Sequence, residues 1–151
     1  MNYIREAENY LKHYRDLRYS LNQIEKEITK IKWSGAPREI SAMNLDGMPS
    51  GSIQQDEMIN IIFKLKCYTE MKENTLKQIN EIDTILNTLE KEEGCESYSK
   101  LLKLWYVDKK NKEDIAEELG YSSRQSIYTH RNKAIRKFAI RLFGIDVLKA
   151  V

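Results

Sequence analysis

Between Tyr121 and Leu142 the ionisable side chains are Arg124, His130, Arg131, Lys133, Arg136, Lys137 and Arg141, with no Asp or Glu among them. Cations at this density and of one sign suit a polyanion, because each can replace a counterion at a phosphate. Interleaved with them are Ser123, Gln125, Tyr128, Thr129 and Asn132, whose amides and hydroxyls can hydrogen-bond to flat polar edges. A helix with such groups at its leading end and cations further along can meet base edges first and phosphates after. The plain alternative is a solvated basic helix packed on its neighbours.

The residues around this segment are those needed to hold it. Asn111 is a good N-cap, and Glu113 and Asp114 fall where the positive end of a helix dipole favours them. Ile115 and Leu119 share one helical face, with the small Ala116 beside them. Gly120 can take the left-handed conformation that stops the helix, and Ser122 and Ser123 can accept from the free amides of the next one. Ile127, Ala134, Ile135, Phe138 and Leu142 recur at helical spacing and predict its buried stripe. Short helix, glycine turn and cationic helix together make a helix-turn-helix. Lys109, Lys110 and Lys112 lead into the first helix, where a backbone phosphate clamp is expected. Tyr98 to Tyr106 supply a preceding helix to cover the open side of the pair, with Trp105 read as core and not as a stacking platform. Gly144 is expected to end the basic helix, and Ile145, Val147, Leu148 and Val151 either fold back on the domain or join a second copy.

The stretch resembles region four of sigma factors, the part that reads the promoter −35 element. Ile115, Ala116, Glu117, Glu118, Leu119 and Gly120 carry the match, followed by Ser122 and by Ala134, Ile135, Arg136 and Lys137. From Gly120 to Ala134 this chain has one residue more than the usual pattern, so an extended turn through Tyr121, Ser122, Ser123 and Arg124 is expected. The string GYSSRQSIYTHRNKAIRKF is closer to the sigma-like late transcription regulators of phages and prophages, the RinA and ArpU type. The resemblance is specific over about the last third of the chain. It implies sequence-specific double-stranded DNA binding and transcription regulation, with RNA polymerase as a further partner. Carried over by position, the base readers are Arg124, Gln125, Tyr128 and Thr129, to which the residue pattern adds Ser123 and Asn132. Lys109, Lys110, Lys112, Arg131, Lys133, Arg136 and Lys137 are expected at phosphates. No basic, aromatic-rich segment of the region-two kind is found, so full sigma activity is not expected. Two other functions fit the same features: a small terminase subunit that binds phage DNA for packaging, and an adaptor that docks on polymerase with weak DNA affinity.

Residues 95–151 hold 12 Lys and Arg against 7 Asp and Glu, whereas residues 1–94 hold 13 against 16, so the overall +2 hides a polarised chain. We read a DNA-binding domain over 95–151 and an N-terminal helical hairpin over 1–94. In the hairpin, Ile4, Ala7, Leu11, Tyr14, Leu17, Leu21, Ile24, Ile28 and Ile31 form one narrow stripe with a slip near Leu17. From near Ser52, Met58, Ile61, Ile62, Leu65, Tyr68, Leu76, Ile79, Ile82, Leu86 and Leu89 form the second, interrupted by Lys72 and Thr75 and closed by Glu92, Glu93 and Gly94. Gly35, Pro37, Gly47, Pro49 and Gly51 punctuate a loop over 32–52 that returns the chain antiparallel. Its Trp33, Met43, Leu45 and Met48 suit either a tethered cover or an exposed hook, and a loosely packed loop is the favoured reading. The expected fold is therefore all-α: a long antiparallel, coiled-coil-like hairpin followed by the helix-turn-helix. A homodimer through the N-terminal helices or the C-terminal tail would supply the affinity that one reader helix lacks.

No enzyme chemistry is expected. The sequence has no phosphate-cradling glycine loop, no Ser, His and Asp grouping, and no helix-borne His, Glu and His set. Cys67, Cys95, His13 and His130 do not lie at zinc-ligand spacing, so neither a metal nor another cofactor is expected. Cys67 falls on an apolar helical face and is expected buried, and Cys95 in a turn; both read as reduced thiols. The start, MNYIREAENYLKHY, lacks the apolar run of a signal peptide, and no segment approaches the ~20 apolar residues of a membrane helix. A cytoplasmic location with no membrane partner is the expectation.

Overall fold

The computed structural model describes residues 1–43 and 51–150, with side chains over 1–34 and 55–150. Among these residues all regular structure is helical: α1 (Tyr3–Lys12), α2 (Tyr14–Met43), α3 (Gly51–Lys91), α4 (Glu96–Leu102), α5 (Lys112–Leu119), α6 (Arg124–Phe143) and α7 (Ile145–Lys149). A π-helical turn, Lys103–Val107, continues α4. No helix among the described residues is long and apolar enough to cross a membrane.

Contacts divide the chain into two compact units, Met1–Leu17 with Gln78–Val151, and Arg18–Lys77. The first does not begin at the composition boundary of residue 94, because both ends of the expected hairpin carry apolar groups into the C-terminal core. Ala7 and Leu11 of α1 and Ile82, Leu86 and Leu89 of α3 are buried with Leu101, Leu102, Ile115, Ile127, Ile135 and Phe138. α1 starts at Asn2, whose Oδ1 accepts from the Arg5 amide at 3.1 Å. It stops at His13, so the single first helix expected from the sequence is two helices. The break leaves α1 free to lie on α6, where Tyr3 and Tyr10 pack on Phe143 with ring centroids 5.3 and 6.2 Å away. Just past it the Tyr14 hydroxyl donates to the Asp83 carboxylate, joining α2 to α3.

In the second unit α2 and α3 pack together through narrow stripes. Leu21, Ile24, Ile28 and Ile31 are half-buried on one helix and Ile61, Leu65 and Tyr68 on the other. Lys72, which interrupts the apolar seam of α3, has its ammonium 3.6 Å from the Glu25 carboxylate of α2. The stripe is thus closed by an ion pair where it lacks an apolar group.

Several local expectations change. Helix covers most of the interval read as a loop, since α2 runs on to Met43 and α3 starts at Gly51. Pro37 removes one amide, but the Arg38–Met43 segment after it consists of helix-compatible residues. Leu45, Met48 and the Met43 side chain lie outside the described residues. Trp33 is exposed. Cys95 does lie in the turn before α4, where it is buried in the core, whereas Cys67, expected buried, is only half-buried. In the tail, Val147 of α7 is buried, while Ile145 and Leu148 remain exposed, and Val151 lies outside the described residues.

Candidate nucleic-acid interface

The helix pair is fixed by its caps. Asn111 Oδ1 accepts from the Glu113 amide at 3.2 Å and opens α5. Gly120 closes it in the left-handed region at φ +77°, and the Tyr121 amide bonds back to the Ala116 carbonyl at 2.9 Å. Ser123 then caps α6, its hydroxyl accepting from the Ser126 amide at 3.2 Å. The turn is therefore Gly120 to Ser123, and Arg124 is the first helical residue. Ile115 and Ile127, both buried, hold the helices to the core on either side of it.

α6 buries Ile127, Ala134, Ile135, Phe138 and Ala139 and turns the opposite side outward. Gln125, Thr129, Asn132 and Arg136, at successive helical turns, form a straight exposed row, with Ser123, Arg124 and Lys133 exposed beside it. The Thr129 hydroxyl donates to the Gln125 carbonyl at 3.0 Å, which leaves its oxygen able to accept. Ser123, Gln125, Ser126, Thr129 and Lys133 line a shallow depression with Tyr121 and His130. Five of the six residues expected at base edges therefore lie at the surface.

Tyr128 is the sixth, and it is half-buried. Its ring stands edge-on to Trp105, with centroids 5.4 Å apart, and its hydroxyl accepts from the Lys112 ammonium. That ammonium lies 4.7 Å from the Tyr128 ring centre and 5.5 Å from that of Trp105. The Arg131 guanidinium also lies over Trp105, 5.1 Å from its ring centre. Trp105 is thus neither free platform nor full core; it is the floor of a cation and aromatic stack. An apolar run around Trp105 concealed this, because both cations belong to other elements.

Arg131, expected at a phosphate, faces inward. Its Nη1 donates to Glu8 Oε1 at 2.7 Å and lies 3.3 Å from the Tyr106 hydroxyl, which itself donates to the same carboxylate oxygen at 2.8 Å. Burial, opposed by the hydrogen bond with Arg131 and assisted by the one with Glu8, pushes the Tyr106 phenol up to about 12. Lys137 pairs with Glu92 at 3.5 Å, and Arg141 pairs with the same carboxylate. Lys110 pairs with Glu118 at 3.3 Å. Lys109 is exposed, in the left-handed region at φ +51°. Lys133 and Arg136 are exposed and form no ion pair among the described residues.

Two titratable groups border the exposed row. Glu113 accepts from Arg124 Nη2 at 2.7 Å, and its own backbone amide, followed by that guanidinium, holds its carboxyl below the usual range. His130 Nε2 lies 3.1 Å from the Ser97 hydroxyl, with its ring between Tyr98 and Tyr121. Burial, then the nearby Lys133, lowers its pKa, so the neutral ring is favoured and its charge does not add to the row. The sequence reading did not mark Glu8, and it gave Glu113 only a helix-dipole role, Glu92 only a helix end and Trp105 only a place in the core; the further role of each runs through a partner distant in the chain or on another helix. Comparison with protein-family models, with curated proteins and with solved structures yields no match.

Proposed function

We propose that the chain is a sequence-specific double-stranded DNA-binding transcription regulator of the phage and prophage type, with α6 as its recognition helix. The observation that carries this reading is the row Gln125, Thr129, Asn132 and Arg136. It is exposed on a capped helix whose first 19 residues, Arg124 to Leu142, include no carboxylate. A helix of this width enters the major groove, where Gln125 and Asn132 offer the bidentate amides that suit adenine and Arg124 a guanidinium that suits guanine. Lys133 and Arg136 then stand beside the groove walls as phosphate contacts, with Lys109 at the entrance to α5. In this reading α2 and α3 form an antiparallel hairpin that serves assembly, and the turn with α5 and α6 is a reader like that of sigma region four.

Selection from a random duplex pool with the purified chain tests it. Recovery of a motif supports the reading; no measurable association with any duplex at low ionic strength overturns it. The polymerase-docking alternative is favoured by one feature, the exposed Ile145 and Leu148 on α7 beside the reader. It predicts co-purification with polymerase at salt concentrations that abolish duplex binding.

A further inference from the structure

We infer that the outer face of α3 is a self-association surface, on which a second copy of the same helix lies antiparallel. Ile61, Leu65, Tyr68 and Lys72 mark the side of α3 turned toward α2. Ile59 and Phe63 lie about half a turn away and Ile62 about a quarter turn away, and they are 62%, 64% and 60% exposed. One helix thus has two apolar faces, of which the described residues cover one. Isolated exposed apolar side chains are ordinary; three in adjoining positions, with Met58 at their edge, form a contiguous patch.

The charges beside the patch identify its occupant. Asp56 precedes it and Lys66 follows it on the same side of the helix, both exposed. The segment reads negative, apolar, positive, which is complementary to itself when reversed. In an antiparallel pair centred near Ile61, Asp56 of each copy faces Lys66 of the other, and Ile59 faces Phe63. This is the isologous arrangement of a twofold dimer, in which one patch serves both sides. Parallel pairing would set like charges together, which is unfavourable. Four apolar side chains fall short of the ~800 Å² per partner of a standard interface, so the dimer forms and dissociates with concentration. This surface is independent of the reading of α6, although a dimer would present two reader helices to a two-part operator.

Sedimentation equilibrium on the full chain, from one to a few hundred micromolar, tests the surface. The wild type should pass from monomer to dimer within that range. Phe63→Asp should weaken the dimer at least thirtyfold with an unchanged helical spectrum, since the side chain is exposed. Asp56→Lys and Lys66→Asp should each weaken it about threefold to tenfold, as two facing pairs become like-charged. Mixed together, those two single variants should form a heterodimer of near wild-type affinity, because each supplies the sign the other lacks. A monomer at every concentration overturns the surface, as does a larger ring, a dimer indifferent to Phe63→Asp, or a mixture no tighter than its separate components. Duplex binding is read separately, so loss of the dimer and failure of the reader remain distinct results.

Discussion

Arg131 of α6 is held by Glu8 of α1: Nη1 and Oε1 are 2.7 Å apart, with both side chains mostly buried and the Tyr106 hydroxyl on the same carboxylate. The pair joins the first turns of the chain to the middle of the basic helix. Removing one partner leaves the other charge in a poorly hydrated place, which costs more than a surface pair contributes. Arg131→Ala should therefore destabilise the fold by about 1–3 kcal/mol in urea titration, and Glu8→Ala by a similar amount. The double variant should cost much less than the sum of the two. If Arg131 instead met a phosphate, its loss would reduce the salt dependence of duplex binding by about one counterion while leaving the urea midpoint in place.

Tyr106 gives the same cluster a pH signature. Its phenol titrates near 12 in the fold against about 10 in an unfolded chain, so the folded state keeps a proton that the unfolded state releases. Its contribution is complete below pH 10 and is lost as pH rises toward 12. The size is about 3 kcal/mol by linkage. Stability measured between pH 9 and 12 should fall more steeply for the wild type than for Tyr106→Phe. Parallel pH profiles for the two proteins would contradict this account of the cluster.

The turn between α5 and α6 depends on two residues in different ways. Nothing stands within 4 Å of a methyl group built on Gly120, so Gly120→Ala meets no neighbour and pays only for φ +77°. That conformation costs an L-residue about 1–2 kcal/mol. Ser123→Ala removes the acceptor for the Ser126 amide and should cost about 1 kcal/mol. Ser123→Asp keeps the cap and should restore stability, yet weaken duplex binding, because it places a carboxylate beside the proposed groove contact. Thermal melts together with duplex titrations separate the two effects.

These local devices were legible in the sequence because each is written within four residues: Asn111 caps α5, Gly120 ends it, Ser123 starts α6, and Gly144 follows its last residue. The buried stripe of α6 was legible for the same reason, as helical periodicity needs no knowledge of the partner. The role of Arg131 was not. Its partner Glu8 is 123 residues away, and only the fold brings α1 against α6. Lys112 and Tyr128 are 16 residues apart and meet over Trp105 of a third segment. Composition placed a boundary at residue 94 because charge changes there, but packing follows apolar contacts. The seam at the end of α3 belongs with the C-terminal helices whatever the charge of its outer face. Punctuation misled at Pro37, where a missing amide was read as a helix end.

If α6 is the proposed recognition helix, its exposed row divides by chemistry into groups suited to distinguish bases and groups that are not. Gln125 offers an amide that can bond to one base edge and not to others, so Gln125→Ala should reduce discrimination between the selected duplex and random duplex by about 1–3 kcal/mol. It should leave random-duplex affinity nearly unchanged. Lys133 is a point charge with no ion pair among the described residues, so Lys133→Ala should weaken both duplexes alike and lower the slope of log affinity against log salt by about one. Arg124 lies between these cases, since its guanidinium is held at 2.7 Å by Glu113 and, in the proposed role, would leave that carboxylate to reach DNA. Glu113→Gln should thus strengthen binding to random duplex, and the gain should vanish in Arg124→Ala, where there is no guanidinium to release. A gain that persists without Arg124 would mean that Glu113 acts by repelling phosphate and not by holding the reader.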